Sequence, residues 1–269
     1  MSQQGSREVR QTLKKPTADP THLKIDDGGA GGLPVVFVHS FAGSISHWAN
    51  QLAHLRAQRR AIALDLSGHG ESKAPPARTK YSIRLLAKDV EGAARLLKLD
   101  RFVLVGHSMG AAVATVVAAA NPGKVAGLVL VDPPPAPGAV PRAQTAQILS
   151  ALKVNPYAVT EDYWKTQLLG GSSPAVQARL LQDLRQIPRA AITELTTDLF
   201  NFDVAKELAQ YPGPKLSIVT PQNDAPLSLH NAVPNVAHVT VGGTGHWIQL
   251  DKPAEINTLL DDFLKQLPV

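Results

Sequence analysis

The chain contains 269 residues, of which 44% are hydrophobic and 18% are charged, with 20 glycines and 21 prolines. This composition excludes an intrinsically disordered or collagen-like chain, and the length suffices for one large α/β domain with a sizeable core. Lys and Arg (27) exceed Asp and Glu (22) by five, a dispersed excess that is weak evidence for nucleic-acid binding.

The sequence also excludes several kinds of site and location. Cysteine is absent, which rules out disulfides, thiolate metal ligands and a cysteine nucleophile. The amino-terminal residues contain no apolar run, and no 18 apolar residues follow one another anywhere. We therefore expect a cytoplasmic protein without membrane or nucleic-acid partners, either a monomer or a homodimer.

Short apolar runs alternate with segments of helical periodicity, a pattern typical of βαβ units around a parallel sheet. Strands are predicted over residues 34–39, 61–66, 102–106, 128–132, 215–220 and 237–241. These runs are rich in Val, Ile and Leu and do not alternate with polar residues, which favours strands covered by helices on both faces. The predicted fold is α/β, with a mostly parallel central sheet flanked by helices.

Further elements are predicted before, between and after these strands. Residues 22–25 are predicted as a short edge strand, and residues 1–21 as a flexible tail or a weak first strand. Helices are predicted over 82–99, with Ser82 as the N-cap, and over 109–120, which is apolar on nearly all sides and should be buried. A last helix is predicted over 253–267.

One long stretch departs from the alternation. Residues 133–203 contain no strand-like run and only helix-like segments. An insertion of this length inside a compact domain is usually a lid or a subdomain. We predict that it forms a helical cap on a core composed of residues 22–132 and 204–269.

The strongest local signal is the segment Gly106-His107-Ser108-Met109-Gly110, which follows a predicted strand and opens a predicted helix. In a Gly-x-Ser-x-Gly turn the serine adopts a strained backbone conformation that exposes its hydroxyl, and the small neighbours leave room for the turn. The segment therefore favours a nucleophilic Ser108, while an ordinary helix N-cap is the alternative interpretation.

Four segments in consecutive order resemble the α/β-hydrolase superfamily, in particular its serine esterase and non-haem haloperoxidase-like branch. The segment 39–43 resembles the oxyanion loop, and 65–72 resembles the Asp-x-x-Gly-His-Gly-x-Ser segment of the family. The Ser108 turn matches the nucleophile elbow, and Gly245-His246-Trp247 matches the position of the family's catalytic histidine. The resemblance covers about residues 33–267.

This resemblance implies a catalytic triad. Ser108 would be the nucleophile and His246 the general base, with an acid that orients the imidazole. The expected acid is Asp224, which follows the predicted strand 215–220, although Thr220 stands where many relatives have glycine. Asp132, at the end of the preceding strand, is the alternative, because some family members take the acid from that position.

The resemblance also implies an oxyanion hole formed by the backbone N–H groups of Phe41 and Met109. Ser40 replaces the glycine that usually follows the histidine of this loop. Substrate-pocket candidates are Ser40, His107, Trp164 and Trp247. The imidazoles of His39, His69 and His107 are interpreted as structural hydrogen-bonding groups, and Asp65 as a loop cap.

The implied activity is metal-independent hydrolysis of a small carboxylic ester through an acyl-enzyme. No metal site is expected because the nine histidines show no His-x-x-x-His spacing, and no cofactor is expected because no dinucleotide fingerprint follows the first strand. The alternatives on the same fold are a C–C bond hydrolase, a lactonase or thioesterase, a perhydrolase, and a ligand-sensing protein with slow turnover.

Overall fold

A computed structural model describes residues 22–268 and contains one seven-stranded sheet. The strands are β1 (Ile25–Gly28), β2 (Val35–Val38), β3 (Ala61–Leu64), β4 (Phe102–His107), β5 (Val125–Val131), β6 (Lys215–Val219) and β7 (Ala237–Thr240). Their order in the sheet is β1-β3-β2-β4-β5-β6-β7, and every pair is parallel except β1 with β3. The predicted α/β architecture is confirmed.

The central strands are buried on both faces. Val36 and Val38 belong to one apolar cluster, whereas Val35 and Phe37 belong to another, because successive side chains of a strand point to opposite faces. One cluster lies beneath helices α2 (Ile83–Leu96), α3 (Met109–Ala120) and α8 (Val204–Leu208). The other lies beneath α1 (Ala49–Leu55) and α11 (Pro253–Lys265).

The predicted helices of the core are confirmed. The backbone N–H of Leu85 donates to the Ser82 hydroxyl at 3.1 Å, so Ser82 caps α2. Helix α3 is buried along its first ten residues. The helix is therefore surrounded by other parts of the protein on all sides, as its apolar composition predicts.

The edge strand begins later than predicted, at Ile25 instead of residue 22. The turn propensity of Asp27-Gly28-Gly29 predicts that the strand ends at residue 25, but in the structure Asp27 and Gly28 lie in β1 together with Asp26. Arg56 pairs with Asp26 at 2.8 Å and Arg60 pairs with Asp27 at 2.7 Å, so the two acidic side chains are balanced at the sheet edge. The prediction for residues 1–21 falls outside the described residues.

Helices alone occupy the stretch between β5 and β6. They are α4 (Arg142–Val154), α5 (Pro156–Tyr163), a π-helical turn (Trp164–Leu168), α6 (Pro174–Leu184) and α7 (Arg189–Asn201), followed by α8. A third apolar cluster joins this helical insertion (residues 133–203) to Ala42 and Trp247 of the sheet domain. We propose that this insertion is a cap on the core formed by residues 22–132 and 204–269.

Two further short helices, α9 (Leu229–Ala232) and α10 (Ile248–Asp251), lie between β6 and α11 along the chain. Across residues 22–268, every helix is too short or too polar to cross a lipid bilayer.

Candidate active site

Ser108 occupies the turn between β4 and α3 in a strained backbone conformation. Its φ is 52° and its ψ is −119°, a region that residues with a Cβ rarely adopt. Its side chain makes no capping hydrogen bond to α3. The interpretation of Ser108 as an ordinary N-cap is therefore wrong, and its hydroxyl is left for another use.

The two glycines of the elbow allow close backbone packing. A Cβ at Gly106 would collide with the carbonyl oxygen of Gly110, and a Cβ at Gly110 would collide with the carbonyl oxygen of His39. The start of α3 therefore lies directly against the loop that follows β2. Met109 opens this helix, where the backbone N–H groups have no acceptor within the helix.

The acid that contacts His246 is Asp132. Its Oδ2 lies 2.5 Å from Nδ1 of His246, and Asp132 is only 2% exposed. The other carboxylate oxygen accepts hydrogen bonds from the backbone N–H and hydroxyl of Thr220, at 2.9 and 3.1 Å, and from the Asn223 amide at 3.2 Å. These donors satisfy a buried carboxylate whose charge would otherwise be costly.

The prediction that Asp224 orients His246 is wrong. The Asp224 side chain is 35% exposed, and its carboxylate accepts from the Thr240 hydroxyl at 2.8 Å and contacts His230 at 3.1 Å. The 3₁₀ turn Pro221–Asn223 directs Asn223, not Asp224, back toward the end of β5. The carboxylate of Asp224 consequently faces the β7 side of the sheet.

Backbone contacts connect the elbow, the acid and the histidine. The backbone N–H of Ser108 donates to the Val131 carbonyl at 2.9 Å, directly before Asp132. Asp132 itself has a φ of 40°, so a second strained residue lies beside the first. The ends of β4 and β5 thus place Ser108 and Asp132 at the same edge of the sheet, and His246 reaches Asp132 there.

His246 is held by its own backbone as well as by Asp132. Its N–H donates to the Leu168 carbonyl of the helical insertion at 2.9 Å, and its carbonyl accepts from Nε2 of His107 at 2.9 Å. The His246 side chain is 12% exposed. Because Nδ1 contacts the carboxylate, Nε2 is the nitrogen that can exchange a proton.

The neighbouring histidines are structural, as the sequence predicts. Nδ1 of His107 accepts from the Gln249 amide at 3.1 Å, so both ring nitrogens are used by the protein. His39 accepts from the Leu66 N–H at 3.0 Å and donates to the Ser40 carbonyl at 2.7 Å. Burial holds the pKa of both imidazoles well below the ordinary value.

His69 and Asp65 support the loop near the oxyanion segment. Burial lowers the pKa of His69 to about 4, and its Nδ1 lies 3.2 Å from the Ser67 carbonyl. Asp65 accepts from the backbone N–H groups of Ile45 and Glu71, at 2.6 and 2.8 Å. The interpretation of Asp65 as a loop cap is confirmed.

Three aromatic side chains form an edge-to-face chain beside His246. Trp164 lies 4.8 Å from Trp247 and 6.4 Å from Phe41 between ring centroids, and Trp247 lies 5.0 Å from His246. The Ser40 hydroxyl is buried and donates to the Phe41 carbonyl at 3.3 Å. Trp164 and Trp247 remain predicted pocket residues, whereas His107 has no ring nitrogen free for a substrate.

Several supporting residues escaped sequence reasoning. Thr220 and Asn223 bind the Asp132 carboxylate, and Leu168 holds the His246 backbone. The replacement of the usual glycine by Thr220 was the signal available, because its hydroxyl serves the acid on the neighbouring strand.

Comparison with known proteins identifies relatives over nearly the whole chain. A family model described as the alpha/beta hydrolase fold matches residues 34–188. The chain is 30% identical over 253 residues to the dihydrolipoyllysine-residue acetyltransferase component of an acetoin cleaving system from Pseudomonas putida, covering 89% of this chain and 65% of that protein. It is 27% identical to the sn-1-specific diacylglycerol lipase ABHD11 of Mus musculus, covering 91% and 85%.

Among solved structures, a thermophilic esterase from Thermogutta terrifontis aligns with a TM-score of 0.77. Sequence identity is 25%, and the alignment covers 91% of this chain and 93% of that structure. The fold and its hydrolase relatives thus agree with the resemblance found in the sequence motifs.

Proposed function

Because this chain belongs to the α/β-hydrolase family, we propose that it is a serine hydrolase that cleaves small carboxylic esters through an acyl-enzyme. The observation that carries the proposal is the 2.5 Å contact between His246 and Asp132, beside the strained and uncapped Ser108. An activated serine needs a base, and the base needs an orienting acid.

The proposed reaction begins with proton transfer from the Ser108 hydroxyl to Nε2 of His246. The serine oxygen attacks the ester carbonyl as the proton leaves, and Asp132 stabilises the imidazolium that forms. The backbone N–H groups of Phe41 and Met109 donate to the oxyanion of the tetrahedral intermediate. His246 then protonates the departing alkoxide, which leaves an acyl group on Ser108.

Water completes the cycle. Nε2 of His246 removes a proton from a water molecule, which attacks the acyl carbonyl. His246 then returns this proton to the Ser108 oxygen as the bond to the acyl group breaks, which releases the carboxylic acid and restores the free enzyme. The buried supporting bonds of Asp132 keep its carboxylate fixed during both halves of the reaction, so little reorganisation accompanies each proton transfer.

The proposed substrate class follows from the side chains around His246. Trp164 and Trp247 are buried in one apolar cluster beside His246, with Phe41 packed against it. The helical insertion contacts the His246 backbone directly through Leu168. These features favour a short, apolar acyl group held close to the insertion.

A graded series of p-nitrophenyl esters tests the proposal, together with labelling by a fluorophosphonate probe. We expect turnover that is highest for short acyl chains, covalent labelling at Ser108, and loss of both in Ser108→Ala. Rapid labelling without turnover on esters, thioesters and lactones would contradict the hydrolase proposal and favour a ligand-sensing protein. Turnover of thioesters or lactones alone would overturn the ester assignment.

A further inference from the structure

Three metal-ligating side chains converge away from the candidate active site. Asp224 follows the turn after β6, His230 lies in α9, and His238 lies in β7. One ligand atom from each lies within 4.8 Å of the other two. The rings of His230 and His238 are stacked, with centroids 4.0 Å apart and planes 12° apart.

The carboxylate of Asp224 is oriented in advance. The Thr240 hydroxyl donates to Oδ2 at 2.8 Å, which leaves Oδ1 at 3.1 Å from Nε2 of His230. Ligands that lie 2.0–2.2 Å from a tetrahedral Zn²⁺ are roughly 3.3–3.6 Å from one another. The Asp224–His230 separation is therefore close to that of two ligands on one ion.

The types of ligand atom also suit a cation. Asp224 offers a carboxylate oxygen, and His230 and His238 offer imidazole nitrogens. Imidazole nitrogens and a carboxylate oxygen are ligands that Zn²⁺ and similar ions prefer.

The histidines can reach one ion with a small rearrangement. The His230 side chain is 1% exposed, and its contact with Asp224 is its one polar contact among the described residues. His238 is exposed, so its ring can rotate out of the stack and aim a lone pair at the same ion as His230. Within residues 22–268, the rotation gives up the stacking contact of His238 with His230.

We propose that Asp224, His230 and His238 form a binding site for a divalent transition-metal ion, with Zn²⁺ as the best match. The sequence predicts no metal site because these residues, at positions 224, 230 and 238, do not follow a motif spacing. The fold supplies the convergence instead. The site is separate from the proposed hydrolase centre, since Asn223 contacts Asp132 whereas Asp224 faces β7.

The test is a Zn²⁺ titration of the chelator-treated protein by calorimetry, repeated with Co²⁺ and visible absorption. We expect one ion per chain, and more than about tenfold weaker binding in His238→Ala and Asp224→Asn, because loss of even an outer-shell partner costs 10–100-fold. Both side chains are exposed, so neither variant should impair folding.

His54→Ala provides the matched control, because His54 also pairs with a carboxylate at the surface, 2.8 Å from Asp261. This variant should bind Zn²⁺ as the wild type does. The proposal is overturned if the wild type does not bind Zn²⁺, if both ligand variants bind it equally well, or if His54→Ala alone abolishes binding. The readout is metal binding, so ester hydrolysis is tested independently.

Discussion

Nδ1 of His246 lies 2.5 Å from Oδ2 of Asp132, a residue 114 positions earlier in the chain. Strand β5 ends one residue before Asp132, and its neighbour β4 ends one residue before Ser108. The acid and the proposed nucleophile therefore leave adjacent parallel strands at equivalent points. This arrangement explains how residues distant in sequence assemble at one edge of the sheet.

The backbone of Ser108 should limit stability. At φ 52° and ψ −119° a side chain costs about 1–3 kcal/mol relative to glycine. We expect Ser108→Gly to raise the free energy of unfolding by about 1 kcal/mol over Ser108→Ala, while both variants lack esterase activity. Urea denaturation of the two variants measures the difference, and equal stabilities would contradict the strained conformation.

Thr220 should act as a positioning residue for Asp132. Thr220→Val removes the hydroxyl that donates to Oδ1 but keeps the backbone donor. We expect kcat to fall about tenfold with little change in KM, since one supporting hydrogen bond is worth about 1–1.5 kcal/mol. Thr115→Val is the control, because that hydroxyl donates to the Ala111 carbonyl within α3, away from Asp132. A similar loss of kcat in both variants would argue against a specific role.

Buried neutral histidines should make the fold sensitive to acid. The pKa of His69 is lowered to about 4, so the unfolded chain binds more protons than the folded chain between about pH 6.5 and pH 4. Stability is therefore fully present above this window and declines as the pH falls through it. Each such group contributes up to about 1.4 kcal/mol per pH unit.

The variant His69→Asn isolates this contribution. Its free energy of unfolding, measured by urea denaturation between pH 7 and pH 4, should change less steeply with pH than that of the wild type. His39 and His107 should maintain part of the slope, because burial also lowers their pKa values. Identical slopes would show that His69 is not buried in the neutral form.

Trp164 should limit the length of the acyl chain. Trp164→Phe removes one ring but keeps an aromatic group against Trp247, so we expect the kcat/KM ratio of hexanoyl to acetyl esters to rise about tenfold. Trp48→Phe is the control, because Trp48 packs on Phe37 in the apolar cluster beneath α1 and α11, which does not contain Trp164. An unchanged ratio in Trp164→Phe would place the acyl group elsewhere.

Local patterns in the sequence predicted the sheet and the helices well. Helix α3 has the predicted bounds, 109–120. Its residues are apolar on nearly all sides, so the whole segment is stable only when it is buried as a helix. The edge strand was misplaced because Asp27-Gly28-Gly29 has turn propensity. The arginines that pair with Asp26 and Asp27 lie about 30 residues away, at Arg56 and Arg60. Long-range ion pairs leave no local pattern.

The same limit explains the error in the acid. Asp132 and Asp224 both follow strands, and their local sequences do not say which carboxylate meets His246. The choice depends on the turn Pro221–Asn223, which directs an amide toward Asp132 and carries Asp224 outward. In the fold, the Thr220 hydroxyl also donates to Asp132, a contact that only the packing of β5 against β6 brings about.

The most direct test of the account compares kcat for ester hydrolysis in Asp132→Asn and Asp224→Asn, assayed in the presence of a metal chelator. We predict that Asp132→Asn lowers kcat roughly 10⁴-fold, because an amide cannot stabilise the imidazolium of His246. Asp224→Asn should keep kcat close to that of the wild type, since its carboxylate contacts Thr240 and His230. The reverse pattern, with the larger loss in Asp224→Asn, would contradict the assignment of Asp132 as the catalytic acid.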